Sequence, residues 1–345
     1  MSKVFICGNY GTGGQTTSGQ VIKTKIVTEE IVKKLGKDNC TVFNTYNRTK
    51  SLLAIFFVIL PTLFQYKQVV LFPAQRGVML LLPAFFISKM LFHTKLHYIV
   101  IGGWLPSMTT KKPLLRKIAK KYDYIYVETK TMERSLQEQG FNNVVIVPNV
   151  KNLEILDVKE FHSYYTAPPY RLCTFSRVMK QKGIEDIISA VREINETRND
   201  VIYELDIYGK IEDNEIEWFN KIEKTMPNYC KYKGMVSPNE STKVIKDYYL
   251  LVFPTLFYTE GIPGTIIDAY ASGVPVLSSR WESFEDIIDD GVTGFGYEFG
   301  NYQALKDRLM DFSNNPTKVN ELKINCCQKA NYYLASNVMN YLKLE

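Results

Sequence analysis

Strand-length apolar runs alternate with helix-like patterns twice along this chain, and that double alternation restricts the fold more than any other feature. In the first half the runs are "KVFICG" (3–8), "TVFN" (41–44), "QVVLF" (68–72), "LHYIVIG" (96–102), "YIYV" (124–127) and "NVVIVP" (143–148). The first ends in the glycine-rich turn "GNYGTGGQTTSG", and the helix-like segment that follows, roughly 19–35, stops at Gly36. A linker rich in Tyr and Pro, 161–170, closes this half. The series then restarts with "RLCTFS" (171–176), the helix "GIEDIISAVREIN" (183–195), "YELDIYG" (203–209), a helix near 214–225, "CKYKGMV" (230–236), "YYLLVFP" (248–254) and "PVLSS" (275–279). Strands alternating with helices predict a parallel sheet covered on both faces. Two such series in 345 residues predict an α/β chain of two Rossmann-like, doubly wound domains with a cleft between them. The expected boundaries are 1–165, 166–320, and a C-terminal helix within 321–345 that packs back on the first domain.

Charge divides the halves. Residues 1–165 carry 22 Lys/Arg against 10 Asp/Glu, and residues 166–345 carry 20 against 26, giving +12 and −6. No acidic residue occurs between Asp38 and Asp123, a stretch with twelve Lys/Arg, so this half is expected to face something anionic. Within it, 51–64 and 77–92 are apolar, but each contains a proline and is shorter than the ~18 to 20 residues of a spanning helix. Both are read as buried or interfacial helices. "TTKKPLLRKIAKKYDY" (109–124) reads as a basic amphipathic helix starting at Pro113, with Leu114, Leu115, Ile118 and Tyr122 on one face and Lys112, Arg116, Lys117, Lys120 and Lys121 around it. Such a helix suits an anionic membrane surface, the alternative being a solvated helix packed on its own sheet. Nucleic acid fits less well, because the interleaved residues are aliphatic rather than stacking aromatics. No secretory signal is read at the N-terminus, so a cytoplasmic protein, peripheral on the inner face of the cell membrane, is expected. The six cysteines form no C-x-x-C pair and only three histidines accompany them. Reduced core thiols and no metal site are therefore expected.

Two segments of the second half can do chemistry. In "FSRVMKQKGIEDIISA" (175–190) a strand ends in a loop bearing Arg177, Lys180 and Lys182, and Gly183 opens a helix. Guanidinium and ammonium groups beside the unpaired N–H groups of a helix start form a diphosphate site; the alternative is a solvated basic loop. The pattern is not a P-loop. In "FPTLFYTEGIPGTIIDAYASGVPVLSS" (253–279), Glu260 follows a buried strand, Pro263 and Gly264 mark a helix start, and Asp268 falls in the second turn. A carboxylate there can take both hydroxyls of a ribose, at the sheet edge where open α/β folds bind ligands. The plain alternative is a surface loop whose acids cap a helix.

These residues resemble glycosyltransferase family 4, retaining enzymes of the GT-B fold that use sugar nucleotides, usually without metal. The resemblance rests on "SRVMKQKG", "YG", "YKGMVS", "EGIPGTIIDAYASGVPVLSS" and "EDIIDDGVTGF", in order across most of 171–300, and more loosely on "GNYGTGG" and "VETKTMERSLQEQGFNNVVIVPNV" (127–150). It implies that Arg177 and Lys182 bind the donor diphosphate, that Glu260 holds the donor sugar, and that Asp268 holds the ribose. Pro263, Gly264 and Thr265 would line the same site, Met235 and Val236 would meet the base, and Gly209 belongs to the donor site. Gly13 and Gly14 would let the first domain approach the phosphate or acceptor, with Arg76, Gly103 and Trp104 on the acceptor side. Arg76 is equally readable as a surface arginine, and Trp104 and Trp281 are candidates to stack on sugar rings. Asp268 stands where the family most often has Glu, and "IVIGGWL" stands where many members carry a histidine.

The implied function is transfer, with retention, of a sugar from a nucleoside-diphosphate sugar, expected to be a UDP-sugar, to a lipid-linked saccharide or other glycan in surface polysaccharide synthesis, with no cofactor. One rival is a catalytically silent two-lobed nucleotide-sugar binder, favoured by the missing histidine. Another is a dinucleotide-dependent oxidoreductase, but Gly8, Gly11, Gly13 and Gly14 miss the G-x-G-x-x-G spacing and no acid closes the second strand.

Overall fold

The computed structural model describes residues 3–11, 19–46, 63–157 and 165–344. It resolves into two compact units, Met1–Asn152 with Tyr333–Glu345, and Leu153–Tyr332. In the first unit β1 (Val4–Gly8), α1 (Gly19–Leu35), β2 (Cys40–Asn44), β3 (Gln68–Phe72), α2 (Val78–Phe92) and β4 (Lys95–Ile99) are followed by α3 (Leu105–Lys111) and α4 (Pro113–Ala119). The series ends with β5 (Tyr124–Val127), α5 (Lys130–Glu138) and β6 (Val144–Ile146). The strands form one six-stranded parallel sheet in the order β2-β1-β3-β4-β5-β6. Central strands covered on both faces read as continuous apolar runs, and β1 and β3 are buried along their whole length. The chain winds outward in both directions from the boundary between β1 and β3.

The basic segment at 109–124 is not one helix. Pro113 cannot continue a preceding helix, so α3 ends at Lys111 and α4 starts afresh, ending at Ala119. Leu115, Ala119 and Tyr122 face the core, at spacings of four and three, whereas Leu114 is 71% exposed. Of the expected apolar face, Leu115, Ile118 and Tyr122 pack on the core and only Leu114 turns outward, with Ala119 buried in its place. Lys120 lies over the Phe141 ring, 5.4 Å from its centroid, rather than standing free.

The second unit repeats the plan with β7 (Tyr170–Phe175), α6 (Ile184–Arg198), β8 (Tyr203–Tyr208), α7 (Ile216–Glu223), β9 (Cys230–Gly234), α8 (Ser241–Ile245), β10 (Leu250–Phe253), α9 (Gly264–Ala271), β11 (Val276–Ser279) and β12 (Gly294–Tyr297). Then come α10 (Tyr302–Asn314), a one-turn helix at Thr317–Asn320, and α11 (Lys323–Ala330). The sheet is again parallel, ordered β12-β11-β10-β7-β8-β9, with its reversal between β7 and β10. After α11 the chain returns to the first unit. Lys151 N–H donates to the Tyr333 carbonyl at 2.9 Å and Ala335 N–H to the Lys151 carbonyl at 2.9 Å. In α12 (Val338–Tyr341), Val338 and Met339 then bury beside Ile26, Val27 and Ile31 of α1. Cys7, Cys173, Cys230, Cys326 and Cys327 are buried free thiols. Burial pushes the Cys7 and Cys230 thiols up to about 12, so they stay protonated.

The first sheet carries an ion pair in its interior that the sequence does not advertise. Lys23 of α1 meets Glu128, just beyond β5, at 2.5 Å, with both side chains nearly inaccessible. Lys23 also donates to the Val100 carbonyl at 3.3 Å. Removing one member of a buried pair leaves an uncompensated charge, whereas replacing both by apolar groups is far milder. Glu128→Ala is therefore expected to destabilise the protein by about 3 to 5 kcal/mol, with Lys23→Met/Glu128→Leu recovering most of it. Urea unfolding followed by circular dichroism measures both, and a single variant as stable as the double one would contradict the account.

Candidate functional site

The carboxyl ends of β7 and β10, neighbours at the point where strand order reverses, converge on one cluster. The loop after β7 carries Arg177 and a short 3-10 turn, Lys180–Lys182, before Gly183 leads into α6. The loop after β10 carries Thr255 and Glu260 before Pro263 caps α9. Lys182 and Glu260 meet in a direct ion pair, mostly shielded from solvent. Thr255 Oγ1 donates to Glu260 Oε1 at 3.2 Å, and the Lys182 ammonium lies 5.2 Å from the Phe253 ring centroid. The Leu256 N–H donates to the Gln181 carbonyl at 2.8 Å, joining the two loops. Gly183 permits this approach: its φ is +67°, and a Cβ there would stand 2.0 Å from the Pro254 carbonyl oxygen.

The first turn of α9 points its unpaired N–H groups toward this edge. Pro263 supplies no side-chain cap, and the buried Thr265 Oγ1 has no hydrogen-bond partner. A buried hydroxyl without a partner is unfavourable unless something bonds it. Asp268 sits one turn further on, 5% exposed, where its Oδ2 accepts from Ser241 Oγ of α8 at 2.8 Å. Ser241 lies 27 positions away in sequence, so no local pattern reveals it.

The other expected residues are distributed around this centre. Arg177 leans outward to Glu212 at 3.3 Å, with 61% of its side chain exposed. Gly209 follows β8 and donates its N–H to the Gly234 carbonyl at 2.8 Å. Met235, exposed, and Val236, half-buried, follow β9. These positions all lie at the carboxyl edge of one sheet. On the first unit's sheet, Arg76 is exposed after β3, Gly103 is buried after β4, and Trp104 donates its indole N–H to the Ile101 carbonyl at 2.8 Å while packing on the core. Gly13 and Gly14 lie outside the described residues, as does most of the apolar segment 51–64. Trp281 is corrected: it is 2% exposed between Phe253 and Phe284, so its faces are occupied and it cannot stack on a sugar. His97 is a core residue bonded to the Tyr126 hydroxyl at 2.9 Å. Among the described residues no three His, Cys, Asp or Glu side chains cluster as a metal site would require, and no helix is long and apolar enough to cross a membrane.

The hydroxyl of Thr265 gives a check that needs no ligand. Thr265→Val keeps the shape and deletes the unpaired group, so the unliganded protein is expected to melt at the same temperature or slightly higher. A clear loss of stability by differential scanning calorimetry would mean that the hydroxyl is already bonded.

Residues 169–315, within the second unit, match the family model described as "Glycosyl transferases group 1". An uncharacterized glycosyltransferase of Methanocaldococcus jannaschii, MJ1178, is 25% identical over 194 residues, covering 56% of this chain and 50% of that protein. The capsular polysaccharide biosynthesis glycosyltransferase CapM of Staphylococcus aureus is 28% identical over 141 residues, 40% of this chain and 35% of its own. The chain thus spans half or less of the length of these two relatives. Among solved structures, HepE from Anabaena in complex with UDP-glucose matches with a TM-score of 0.75 at 13% identity, over 99% of this chain and 98% of that one. That likeness shows the fold, GT-B, with two Rossmann-like α/β domains.

Proposed function

We propose that this protein is a retaining glycosyltransferase of family 4 that moves a sugar from a UDP-sugar to a lipid-linked saccharide or other glycan acceptor during synthesis of a surface polysaccharide. The observation that carries the reading is the pairing of Lys182 with Glu260 at the strand reversal, beside a helix start with an unbonded hydroxyl at Thr265. A cation, an acceptor of sugar hydroxyls and a set of free N–H groups then lie at one sheet edge, as a sugar diphosphate requires. The capsule relative and the UDP-glucose complex of the structural neighbour point to the same chemistry by analogy.

In this reading Lys182, Arg177 and the amides of Gly264 and Thr265 hold the diphosphate, and Pro263 shapes the turn. Glu260 orients the hydroxyls of the donor sugar, Asp268 takes the ribose, and the backbone at Met235 and Val236 borders the base, with Gly209 beneath. Without ligand, Glu260 holds the Lys182 ammonium in place, and Glu212 holds Arg177. A bound diphosphate competes for both cations. The bond from the anomeric carbon to the diphosphate oxygen breaks with its electron pair going to the diphosphate, leaving an oxocarbenium-like sugar. The acceptor hydroxyl adds to the same face, and its proton passes to the departing phosphate oxygen. Cations positioned where charge develops lower the barrier for that departure. The N-terminal unit would hold the acceptor, through Arg76, Gly103, Trp104, Gly13 and Gly14, at the anionic inner face of the cell membrane, with α4 and its flanking lysines on the surface.

UDP, GDP, ADP and NAD are to be compared by thermal stabilisation in the presence of a chelator. At ~100 times its dissociation constant a ligand adds about 2.7 kcal/mol of stability. The expected result is stabilisation by UDP alone, lost in Asp268→Ala and unaffected by chelation; no response to any nucleoside diphosphate would remove the donor site. Once a donor is known, Arg177→Ala is expected to lower turnover by more than about tenfold. Nucleotide binding without turnover on matched donor and acceptor would favour the silent binder instead.

A further inference from the structure

Helix α2 is apolar on every side. Its inward stripe, Val78, Leu81, Leu82 and Phe85, belongs to the core beneath the first sheet. A helix at the rim of a domain ordinarily turns polar residues outward. Here the outward stripe is Met79, Leu80, Ile87, Met90 and Leu91, all exposed, with Met90 at 66% and Leu91 at 64%. Lys89, the one charged residue of the helix, is drawn aside to Asp123 at 2.6 Å. Phe64 and Phe92, with ring centroids 6.3 Å apart, prolong the patch at the helix end. From Met79 to Leu91 the stripe runs over ~18 Å, and a continuous exposed surface of this kind marks an interaction site.

The neighbouring element supplies the charge. Helix α4 packs beside α2, since Leu115, Ala119 and Tyr122 share a core with Leu81, Leu82 and Phe85, and the Tyr122 hydroxyl donates to the Leu82 carbonyl at 2.9 Å. It and the residues around it carry the exposed Lys111, Lys112, Lys117 and Lys121, so the element packed beside α2 is basic. Protein-binding surfaces are enriched in Met and Phe, which this patch also carries, but are depleted in lysine, so the lysines around α4 are what set this surface apart. An aliphatic stripe beside a lysine-bearing element has instead the character of a lipid interface, where lysine stems lie along apolar material and the ammonium groups reach the headgroups.

We propose that the outward face of α2 inserts shallowly into an anionic lipid bilayer while the lysines around α4 contact its headgroups. The proposal deepens the membrane reading given above and rests on it; α2, rather than the basic helix, becomes the element that enters the apolar layer, and the lysines become its electrostatic guide.

The test is co-sedimentation of the full chain with phosphatidylcholine vesicles, with and without phosphatidylglycerol, at low and high salt. Three variants are compared with the wild type: Ile87→Glu/Leu91→Glu, Lys117→Glu/Lys121→Glu and Leu91→Trp. The wild type is expected to bind the anionic vesicles and to keep part of that binding at high salt, because apolar insertion is not screened. Ile87→Glu/Leu91→Glu is expected to bind more weakly by about tenfold or more, with its response to UDP unchanged. Leu91→Trp is expected to shift its added emission to shorter wavelength on vesicles and to be quenched by brominated lipid, which keeps the test decisive should the double glutamate variant fold poorly. Loss of binding in the lysine variant with full binding in the α2 variant would overturn insertion by α2 and leave the membrane reading standing. A wild type that ignores vesicles would overturn both. Conversion of a wild-type dimer to monomer by Ile87→Glu/Leu91→Glu, with vesicle binding intact, would show a contact between copies of the chain and overturn the proposal.

Discussion

The Lys182–Glu260 ion pair spans the two loops that leave β7 and β10 in opposite winding directions, and the arrangement of the candidate site depends on it. Each charge is too shielded to stand alone at low cost, so each needs the other. The Leu256–Gln181 hydrogen bond and the close passage of Gly183 over Pro254 hold the loops at the required separation. With the loops fixed, α9 starts four residues after Glu260, at Gly264, so its first turn lies at the same sheet edge as the pair. A strand reversal, a salt bridge and a helix start are thus three consequences of one local packing solution.

The second unit is acidic overall, yet the proposed diphosphate site lies at its edge. Net charge acts over a Debye length or more and is screened, whereas Lys182 and the first turn of α9 act at contact distance in a partly shielded setting. Short-range geometry therefore outweighs the sign of the domain. The first unit is different, because its excess of basic residues lies in a long stretch without acids and reaches the surface around α4. There the accumulated charge would matter for the proposed membrane contact, since a bilayer presents an extended anionic plane rather than a single diphosphate.

Much of this was legible before the structure. Central strands such as Val4–Gly8 and Gln68–Phe72 are continuous apolar runs because both their faces are covered, and the loop residues after β7 and β10 were identifiable from glycine, proline and charge alone. Strand β12 was not. "GFGY" lacks a run of branched residues, and Gly294 is there because a Cβ would stand 2.3 Å from the Val276 carbonyl oxygen, a close approach between neighbouring strands that no pattern in sequence displays. The hydrogen bond from Ser241 to Asp268 and the pair Lys23–Glu128 join residues 27 and 105 positions apart, so they follow from topology rather than from spacing. Trp281 was misread for a related reason: composition offers aromatic residues as sugar platforms, but only packing shows which faces are already taken.

Helix α2 shows why an apolar segment too short to span a bilayer need not be wholly buried. Its inward stripe is enough to anchor it against the sheet, because burying four aliphatic or aromatic side chains contributes roughly 6 to 12 kcal/mol before entropy is counted. The outward stripe adds nothing to that anchoring and leaves apolar surface in water, which favours association with any other apolar phase. Ion pairing of Lys89 with Asp123 offsets part of the cost of bringing the helix's one charge close to an apolar phase. A helix stable in the fold on one face and unsatisfied on the other is a rigid element with a fixed orientation, so the depth to which it can enter a bilayer is set by the protein core behind it rather than by its own length.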